Sequence, residues 1–228
     1  MTAEQQLRLA IVDVGRRLYQ RGLIVAGDGN ISARLPDGTL LITPAGLCKG
    51  ELTPEDLVVI SLDGELLRAA PGRRQSSEQQ LHLHTYRCRP DVQACVHAHP
   101  PTAVALTLVG MDLTAPLLPE AILALGPVPT APYARTGTVE LGEVVGRLVV
   151  DHDALLLAYH GALTLGPTPL AAYFQMEQLE HCARTIHAAC QLGLPQLLPP
   201  ERIAELQALR ATHRYHAAAQ RGLPAEHR

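Results

Sequence analysis

A short apolar run that ends in two histidines and two prolines constrains the fold of this chain more than any other stretch. The run covers residues 92–101 and reads VQACVHAHPP. Side chains of an extended strand alternate between its two faces, so His97 and His99 point to the same side, as two ligands of one metal ion must. Proline has no amide hydrogen and cannot continue a hydrogen-bonded ladder. The sequence therefore predicts a strand that carries a histidine pair at its end.

A second apolar run, over residues 154–161, ends in His160 followed by Gly161. Two strand ends that bring three imidazoles to one point leave a coordination position free, which is typical of a catalytic metal site. A structural zinc ion would need a fourth closed protein ligand, and only Glu78 or Glu120 could supply it. We therefore expect one divalent cation per chain. Its predicted ligands are His97, His99 and His160, with Glu78 as a candidate fourth. Three imidazoles suit Zn²⁺, and Mn²⁺, Fe²⁺ or Co²⁺ are the alternatives.

Helices and short strands are predicted along the rest of the chain. Apolar residues at helical spacing indicate helices, and glycine or proline turns separate short alternating runs. The predicted helices cover 3–20, 76–87, 102–109, 119–124, 138–149, 169–192 and 201–220. The predicted strands lie within 27–35, 39–43, 57–61, 64–67, 92–96, 128–131, 155–158 and 162–165. This pattern favours an α/β class, with helices packed on a mostly antiparallel or mixed sheet. A length of 228 residues with 47% hydrophobic composition favours one domain over 1–228.

The charge pattern argues against nucleic-acid or membrane partners. The formal net charge is −3 with no block of like charge, whereas those roles usually need a basic patch. No apolar run is long enough to span a bilayer, and residues 1–8 lack the apolar segment of a secretory signal. We therefore expect a cytoplasmic protein. The five cysteines form no CxxC pair and are expected to be free thiols.

Glu78 is the next candidate for chemistry. It precedes His82 by four residues, so both side chains lie on one face of the predicted helix. The alternative is a capping carboxylate at the helix start. His82 and His84 form another HxH pair, but on a helix they point about 200° apart and cannot share a metal ion. For His84 we expect simple solvent exposure.

Several polar groups near turns are candidates for binding an anion or moving a proton. Helix N-terminal amides and glycine turns can hold a phosphate. The candidate anion-binding residues are Gly29, Asn30, Ala45, Gly46, Ser76 and Ser77. The candidate proton donors are Glu120, Tyr133 and Tyr215. The alternative for Glu120 is a charge at a helix start, and the alternative for each tyrosine is a packing residue.

The order of these motifs resembles the class II aldolase/adducin family. The matching segments are GNIS at 29–32, LITPAG at 41–46, SSE at 76–78, HAH at 97–99, APYA at 131–134 with GT at 137–138, and HG at 160–161. Together they cover roughly residues 5 to 195.

The resemblance implies an α/β/α sandwich around a central, mostly antiparallel sheet, and a homotetramer with active sites at subunit interfaces. It also implies that the helix near 200–220 is a candidate for oligomer or active-site contacts. By position, His97, His99 and His160 resemble the metal ligands, and Glu78 resembles the catalytic acid/base. The implied phosphate- and substrate-binding set is Gly29, Asn30, Ala45, Gly46, Ser76 and Ser77.

Two segments depart from the aldolases of that family. Ala45 stands where a threonine is common. Pro119-Glu120-Ala121 stands where a His-Tyr pair is usual, and the glutamate resembles the catalytic acid of methylthioribulose-1-phosphate dehydratases. Those dehydratases, however, generally lack the Ser-Ser-Glu segment.

The working hypothesis is therefore a metal-dependent aldehyde-lyase. It would cleave a phosphorylated ketose, similar to L-fuculose 1-phosphate, to dihydroxyacetone phosphate and a short aldehyde through an enediolate. Glu78 would act at the carbon, and Glu120 or a tyrosine such as Tyr133 would act at the leaving oxygen. Epimerisation, dehydration or decarboxylation of a sugar phosphate at the same metal site are the alternatives. A non-catalytic binding module is a further one, against which the three histidines and Glu78 argue.

Overall fold

The computed structural model describes residues 1–212, and its centre is an eight-stranded sheet. The strands are β1 Asn30–Arg34, β2 Leu40–Ile42, β3 Val58–Ile60, β4 Leu66–Arg68, β5 Ala94–Ala98, β6 Thr130–Ala131, β7 Ala154–Leu157 and β8 Gly161–Gly166. Their order across the sheet is β4-β3-β2-β1-β5-β8-β7-β6. All described neighbours pair antiparallel, except β6 and β7, which pair parallel.

Helices cover both faces of this sheet. They are α1 Ala3–Gln20, α2 Gln79–Cys88, α3 Pro101–Leu108, α4 Pro119–Ala124, α5 Val139–Val149, α6 Pro169–Leu192 and α7 Pro200–Ala211. One apolar core packs α1, α3 and α6 on one face, and a second core packs α2 and α5 on the other. The predicted fold class, an α/β/α sandwich around a mostly antiparallel sheet, is therefore confirmed.

Strand β5 begins two residues later than predicted. Residues 89–92 form a turn closed by a hydrogen bond from the Val92 amide to the Arg89 carbonyl, and the strand itself covers Ala94–Ala98. The strand also ends two residues later than predicted, at Ala98, which places His97 inside it, where it is fully buried. His97 therefore lies within β5, and His99 follows directly after the strand ends.

The last predicted helix, 201–220, is present as α7 over Pro200–Ala211. Residues 213–220, including the candidate donor Tyr215, lie outside the described residues. Helix α7 packs on α4, where the Arg210 guanidinium donates to the Ile122 and Leu123 carbonyls at 3.5 and 3.4 Å.

The sheet register brings three chain segments together at one end of the central strands. Asn30 at the start of β1 lies opposite His97 near the end of β5. On the other side of β5, Ala98 lies opposite Ala162 near the start of β8. Because both pairs are antiparallel, the first residues of β1 and β8 flank the last residues of β5. Glycine turns and histidines therefore meet at this end of the sheet.

Two further sequence expectations can be compared with the structure. All five cysteines are free, as predicted. Within residues 1–212, each helix is too short or too polar to cross a bilayer.

Candidate metal centre

Three imidazoles and one carboxylate converge at the end of β5. The side-chain nitrogens of His97, His99 and His160 and a carboxylate oxygen of Glu78 all lie within 4.8 Å of one another. The three ring centroids are 4.8 to 4.9 Å apart. The structure therefore brings together the three histidines that the two apolar runs predicted to meet, and it adds Glu78.

The environment of these atoms fits a divalent cation. His97 Nε2 and His99 Nε2 lie only 3.1 Å apart, and two such lone pairs repel unless a proton or a cation lies between them. Glu78 Oε1 is 3.2 Å from His160 Nε2 but lacks hydrogen-bond geometry, and it is buried with no other partner. An unsatisfied buried carboxylate oxygen is costly, and a cation would satisfy it. Nitrogen and carboxylate donors are ligands that Zn²⁺ and neighbouring divalent ions accept.

The outer ring nitrogens orient two of the imidazoles. His97 Nδ1 lies 2.9 Å from the Ala162 carbonyl, to which it can donate, so Nε2 is the nitrogen that faces the cluster and could bind a cation. His99 Nδ1 lies 3.4 Å from the Asp28 carboxylate. Burial, with the charges of His97 and His160, lowers the pKa of His99 to about 4, so its ring is neutral near pH 7.

Glu78 does not cap helix α2, so the alternative interpretation of this residue is wrong. It occupies the N-cap position but makes no side-chain capping bond. Its carboxylate instead accepts from Asn30 Nδ2 at 3.0 Å and lies 3.3 Å from His97 Nε2. Burial alone would raise its pKa, but the neighbouring His97 and His160 outweigh burial and hold the pKa of Glu78 well below its usual value. The group is therefore an ionised carboxylate aimed at the cluster.

The three predicted anion-binding segments contact one another beside this cluster. Gly29 has φ of +69°, and a Cβ there would lie 2.9 Å from the His97 carbonyl, so only glycine fits. Gly27 approaches Gly46 in the next loop. The Ala45 amide donates to the Arg74 carbonyl at 3.0 Å, which joins that loop to the segment that carries Ser76 and Ser77. Ser76 is buried and accepts from the Glu78 amide, whereas Ser77 is exposed.

Lys49 was missed by the sequence interpretation. It is 2% exposed and donates from Nζ to the carbonyls of Gly27 and Leu47, in the two glycine loops. Burial lowers its pKa, while the Asp28 charge opposes this shift. A buried ammonium between the loops attracts anions, and no local motif around Lys49 could have indicated that contact.

His82 was also undervalued, and the expectation for His84 was wrong. His82 is fully buried and bonds to Asn30 and Ser32 on the sheet. His84 is only partly exposed, because α5 packs on it at Gly142, where an added Cβ would lie 2.5 Å from the His84 ring. The spacing argument that the two cannot share a metal ion agrees with these opposite directions.

Glu120 and Tyr133 lie farther out. Glu120 is exposed in the first turn of α4, and within residues 1–212 it makes no hydrogen bond to the cluster. Tyr133 is 63% exposed, and its ring lies 6.3 Å from that of Tyr159, which precedes His160. Tyr133 is therefore near the rim of the cluster rather than inside it.

Comparison with known proteins gives a consistent assignment. The family model described as Class II Aldolase and Adducin N-terminal domain matches residues 9–187. A 3-oxo-tetronate 4-phosphate decarboxylase of Pectobacterium atrosepticum is 40% identical over 190 residues, which are 82% of this chain and 86% of that protein. A 5-deoxy-D-ribulose 1-phosphate aldolase of Bacillus thuringiensis is 35% identical over 204 residues, which are 89% of this chain and 94% of that protein.

A solved structure shares the fold. A structure of L-fuculose 1-phosphate aldolase aligns with a TM-score of 0.82 at 29% identity, over 91% of this chain and 96% of the other.

Proposed function

The chain belongs to the class II aldolase and adducin N-terminal domain family, and from this premise we propose that it is a metal-dependent lyase. It would break a carbon–carbon bond next to the carbonyl of a small phosphorylated, sugar-derived substrate. The observation that carries the proposal is the convergence of His97, His99 and His160 with an ionised, buried Glu78. A bound divalent cation supplies a Lewis acid, which stabilises negative charge developing on substrate oxygens.

The reaction that we place first is decarboxylation of a phosphorylated 3-oxo sugar acid. It is supported by relatives named 3-oxo-tetronate 4-phosphate decarboxylase, at 40% and 36% identity. A 3-oxo acid with a phosphate at C4 that loses CO₂ leaves the enediolate of dihydroxyacetone phosphate. One proton added to carbon completes the reaction, and Glu78 is the proton-transfer group in contact with the cluster.

Aldol cleavage of a ketose 1-phosphate is the second candidate. It is supported by the relative named 5-deoxy-D-ribulose 1-phosphate aldolase, at 35% identity. Cleavage between C3 and C4 of such a ketose leaves the same enediolate, with an aldehyde instead of CO₂ as the other product. This reaction needs a second group that takes the proton of the cleaved alcohol, and Glu120 or Tyr133 would have that role. The two candidates thus share one half-reaction and differ in the departing fragment.

The glycine loops would hold the phosphate of either substrate. Gly29, Asn30, Ala45, Gly46, Ser76 and Ser77 are the proposed contacts. Their support is that the three segments contact one another beside Glu78, with the buried Lys49 between two of them.

The first prediction concerns Glu78. Glu78→Gln keeps the shape of the side chain but removes the base, so turnover should fall about 10²–10⁴-fold while a metal ion is still bound. The assay is release of dihydroxyacetone phosphate from a panel of 3-oxo acid 4-phosphates and ketose 1-phosphates, with CO₂ and aldehyde measured separately. Glu65→Gln, an exposed carboxylate in the β3–β4 turn, is the matched control. Full activity of Glu78→Gln would refute the role of Glu78, and no activity of the wild type on the whole panel would refute the substrate class.

Other properties stay predictions. We propose Zn²⁺ as the native ion, to be tested by elemental analysis of purified protein. We also propose a homotetramer with interfacial active sites, in which residues 1–228 form one domain and the C-terminal helix contributes to assembly or to the site. Light scattering after size exclusion would test the assembly. The cytoplasmic location likewise remains a prediction.

A further inference from the structure

A continuous row of buried hydrogen bonds connects Glu78 to the interior of the layer that contains α2. Tyr86 Oη bonds to Ser32 Oγ at 2.9 Å, and Ser32 Oγ bonds to His82 Nδ1 at 2.7 Å. His82 Nε2 bonds to Asn30 Oδ1, and Asn30 Nδ2 donates to Glu78 Oε2 at 3.0 Å. His82 and Ser32 are fully buried, and Asn30 and Tyr86 nearly so.

This row forms because the distance between every second residue on β1 is close to the distance between every fourth residue on α2. Asn30 and Ser32 are two residues apart on β1, which separates them by about 6.7 Å. Glu78, His82 and Tyr86 follow at intervals of four residues, or about 6.0 Å, on α2 and its N-cap. The strand pair therefore interleaves with the helix triplet, and each side chain meets the next one across the interface.

The chemistry of the end group fixes the direction of every bond. An ionised carboxylate only accepts, so the NH₂ group of Asn30 must face Glu78 and its oxygen must face His82. That oxygen needs a donor, so His82 must carry its proton on Nε2. A neutral imidazole then accepts at Nδ1, so Ser32 donates to it and Tyr86 donates to Ser32. Each polar atom that takes part in the row, from Tyr86 Oη to Glu78 Oε2, therefore has one role in it.

We propose that His82 is a positioning residue for the metal centre. By holding the amide of Asn30 in one orientation, it holds the Glu78 carboxylate toward His97 and His160. An Asn30 amide turned by 180° would place its oxygen against the carboxylate and repel it. The inference depends on the proposed metal site, but not on which substrate is cleaved.

Two substitutions at His82 separate its two nitrogens. His82→Gln can keep an N–H near the position of Nε2 and can still donate to Asn30. His82→Asn is shorter, so it can reach Ser32 but not Asn30. We expect His82→Asn to weaken Co²⁺ binding about 10–100-fold, the usual effect of an outer-shell loss, and His82→Gln to weaken it by less than about threefold. Titration calorimetry and the visible absorption of the Co²⁺-loaded protein give readouts that do not depend on turnover.

The protonation pattern can be measured directly in the wild type. Multiple-bond ¹⁵N–¹H correlation spectra distinguish the two neutral tautomers of a histidine, and His82 should show the Nε2–H form. Ser32→Ala removes the hydroxyl that donates to Nδ1 but leaves the Asn30 oxygen in place, so it should retain the Nε2–H form. Thr85→Val is the matched control, because its buried hydroxyl bonds only to the Leu81 carbonyl within α2. It should leave the tautomer and the Co²⁺ affinity unchanged.

Every outcome of these experiments supports or refutes the positioning role of His82. An Nδ1–H tautomer in the wild type, or equal Co²⁺ affinities of the two His82 variants, would overturn the positioning role. If either His82 variant does not fold, the tautomer measurement on the wild type and on Ser32→Ala still decides. If the affinities follow the expected pattern but no substrate of the panel is cleaved, the positioning role stands and the proposed reaction fails.

Discussion

Gly161 determines how closely the three imidazoles can approach. A Cβ at this position would lie 2.5 Å from the Ala98 carbonyl oxygen, 2.9 Å from the His99 ring and 3.0 Å from the His97 ring. Real Cβ atoms do not come so close to a backbone oxygen, so β5 and β8 would have to separate. The close packing of the histidine cluster therefore requires a glycine after His160.

The second prediction is that Gly161→Ala reduces both metal content and stability. Overpacking should cost about 1–3 kcal/mol, and the displaced histidines should bind substoichiometric metal by elemental analysis. Gly166→Ala, at the other end of β8, is the matched control, since its Cβ would lie 2.7 Å from the Ala172 amide. That variant should be destabilised similarly but retain full metal content. Equal metal loss in both variants would show that Gly161 acts only through general stability.

The three histidines could be predicted from sequence because each follows a short apolar run that ends in proline or glycine. The role of Glu78 was ambiguous, because a carboxylate at a helix start usually caps the helix. In the structure it instead contacts Asn30 and His97, which are distant in the chain. His82 and Lys49 could not be assigned. Asn30 lies 52 residues from His82 and Gly27 lies 22 residues from Lys49, and no local sequence pattern indicates such contacts. Whether the three histidines bind a metal ion remains a prediction.

At the level of elements, a side chain of α6 caps the N-terminus of α3. Pro100 at the N-cap of α3 offers no side-chain acceptor. The Glu180 carboxylate of α6 accepts instead from the amides of Thr102 and Ala103 at 3.0 to 3.2 Å, and from Arg184 at 2.8 Å. Glu180 is 2% exposed, so this cap is inside the protein. Because α3 directly follows the His97–His99 segment, the cap also fixes how that segment leaves the sheet.

The third prediction tests this cap. Glu180→Ala leaves buried amides without an acceptor and should lower the free energy of unfolding by about 1–3 kcal/mol. Arg184→Ala removes the exposed end of the same ion pair and should lower it by less than about 1 kcal/mol. Urea unfolding measures both variants. A smaller effect for Glu180 than for Arg184 would contradict the capping role.

For the whole molecule, acid sensitivity follows from the buried His82. Burial lowers the pKa of His82 from 6.5 to about 3, since the charged ring would lie in the interior of the protein. Below pH 6.5 the unfolded chain binds a proton at His82 that the folded chain does not. Stability therefore falls as the pH falls from 6.5 toward 3, and Glu78, with its lowered pKa, adds to the loss at the acid end.

The fourth prediction is that metal-free protein loses stability between pH 6.5 and pH 4, and that His82→Gln loses less. Each fully excluded proton contributes up to about 1.4 kcal/mol per pH unit, so the two slopes should differ by roughly that amount. Urea midpoints across this pH range give the comparison. Identical slopes would mean that His82 is not kept neutral by the fold.

The fold class was predictable because alternating runs, turns and helical spacing are local signals. The order of the strands was not, since β5 pairs with β1 and β8, elements about sixty residues away on either side. The register that sets Asn30 against His97 results from packing on both faces, which local sequence does not encode. Residues 213–220 of the predicted helix 201–220 lie outside the described residues.

Helix α3 has a consequence for how far apart the two histidine-bearing segments can lie. It begins two residues after His99, and in its last turn Thr107 Oγ1 accepts from the Tyr159 amide at 3.1 Å. Tyr159 has φ of +60°, and it directly precedes His160. One residue inserted into α3 would rotate Thr107 by about 100° around the helix axis and break its hydrogen bond with the Tyr159 amide. The spacing of the two histidine-bearing segments thus depends on the length of a helix that contributes no side chain to the cluster, so insertions and deletions there should be tolerated worse than substitutions.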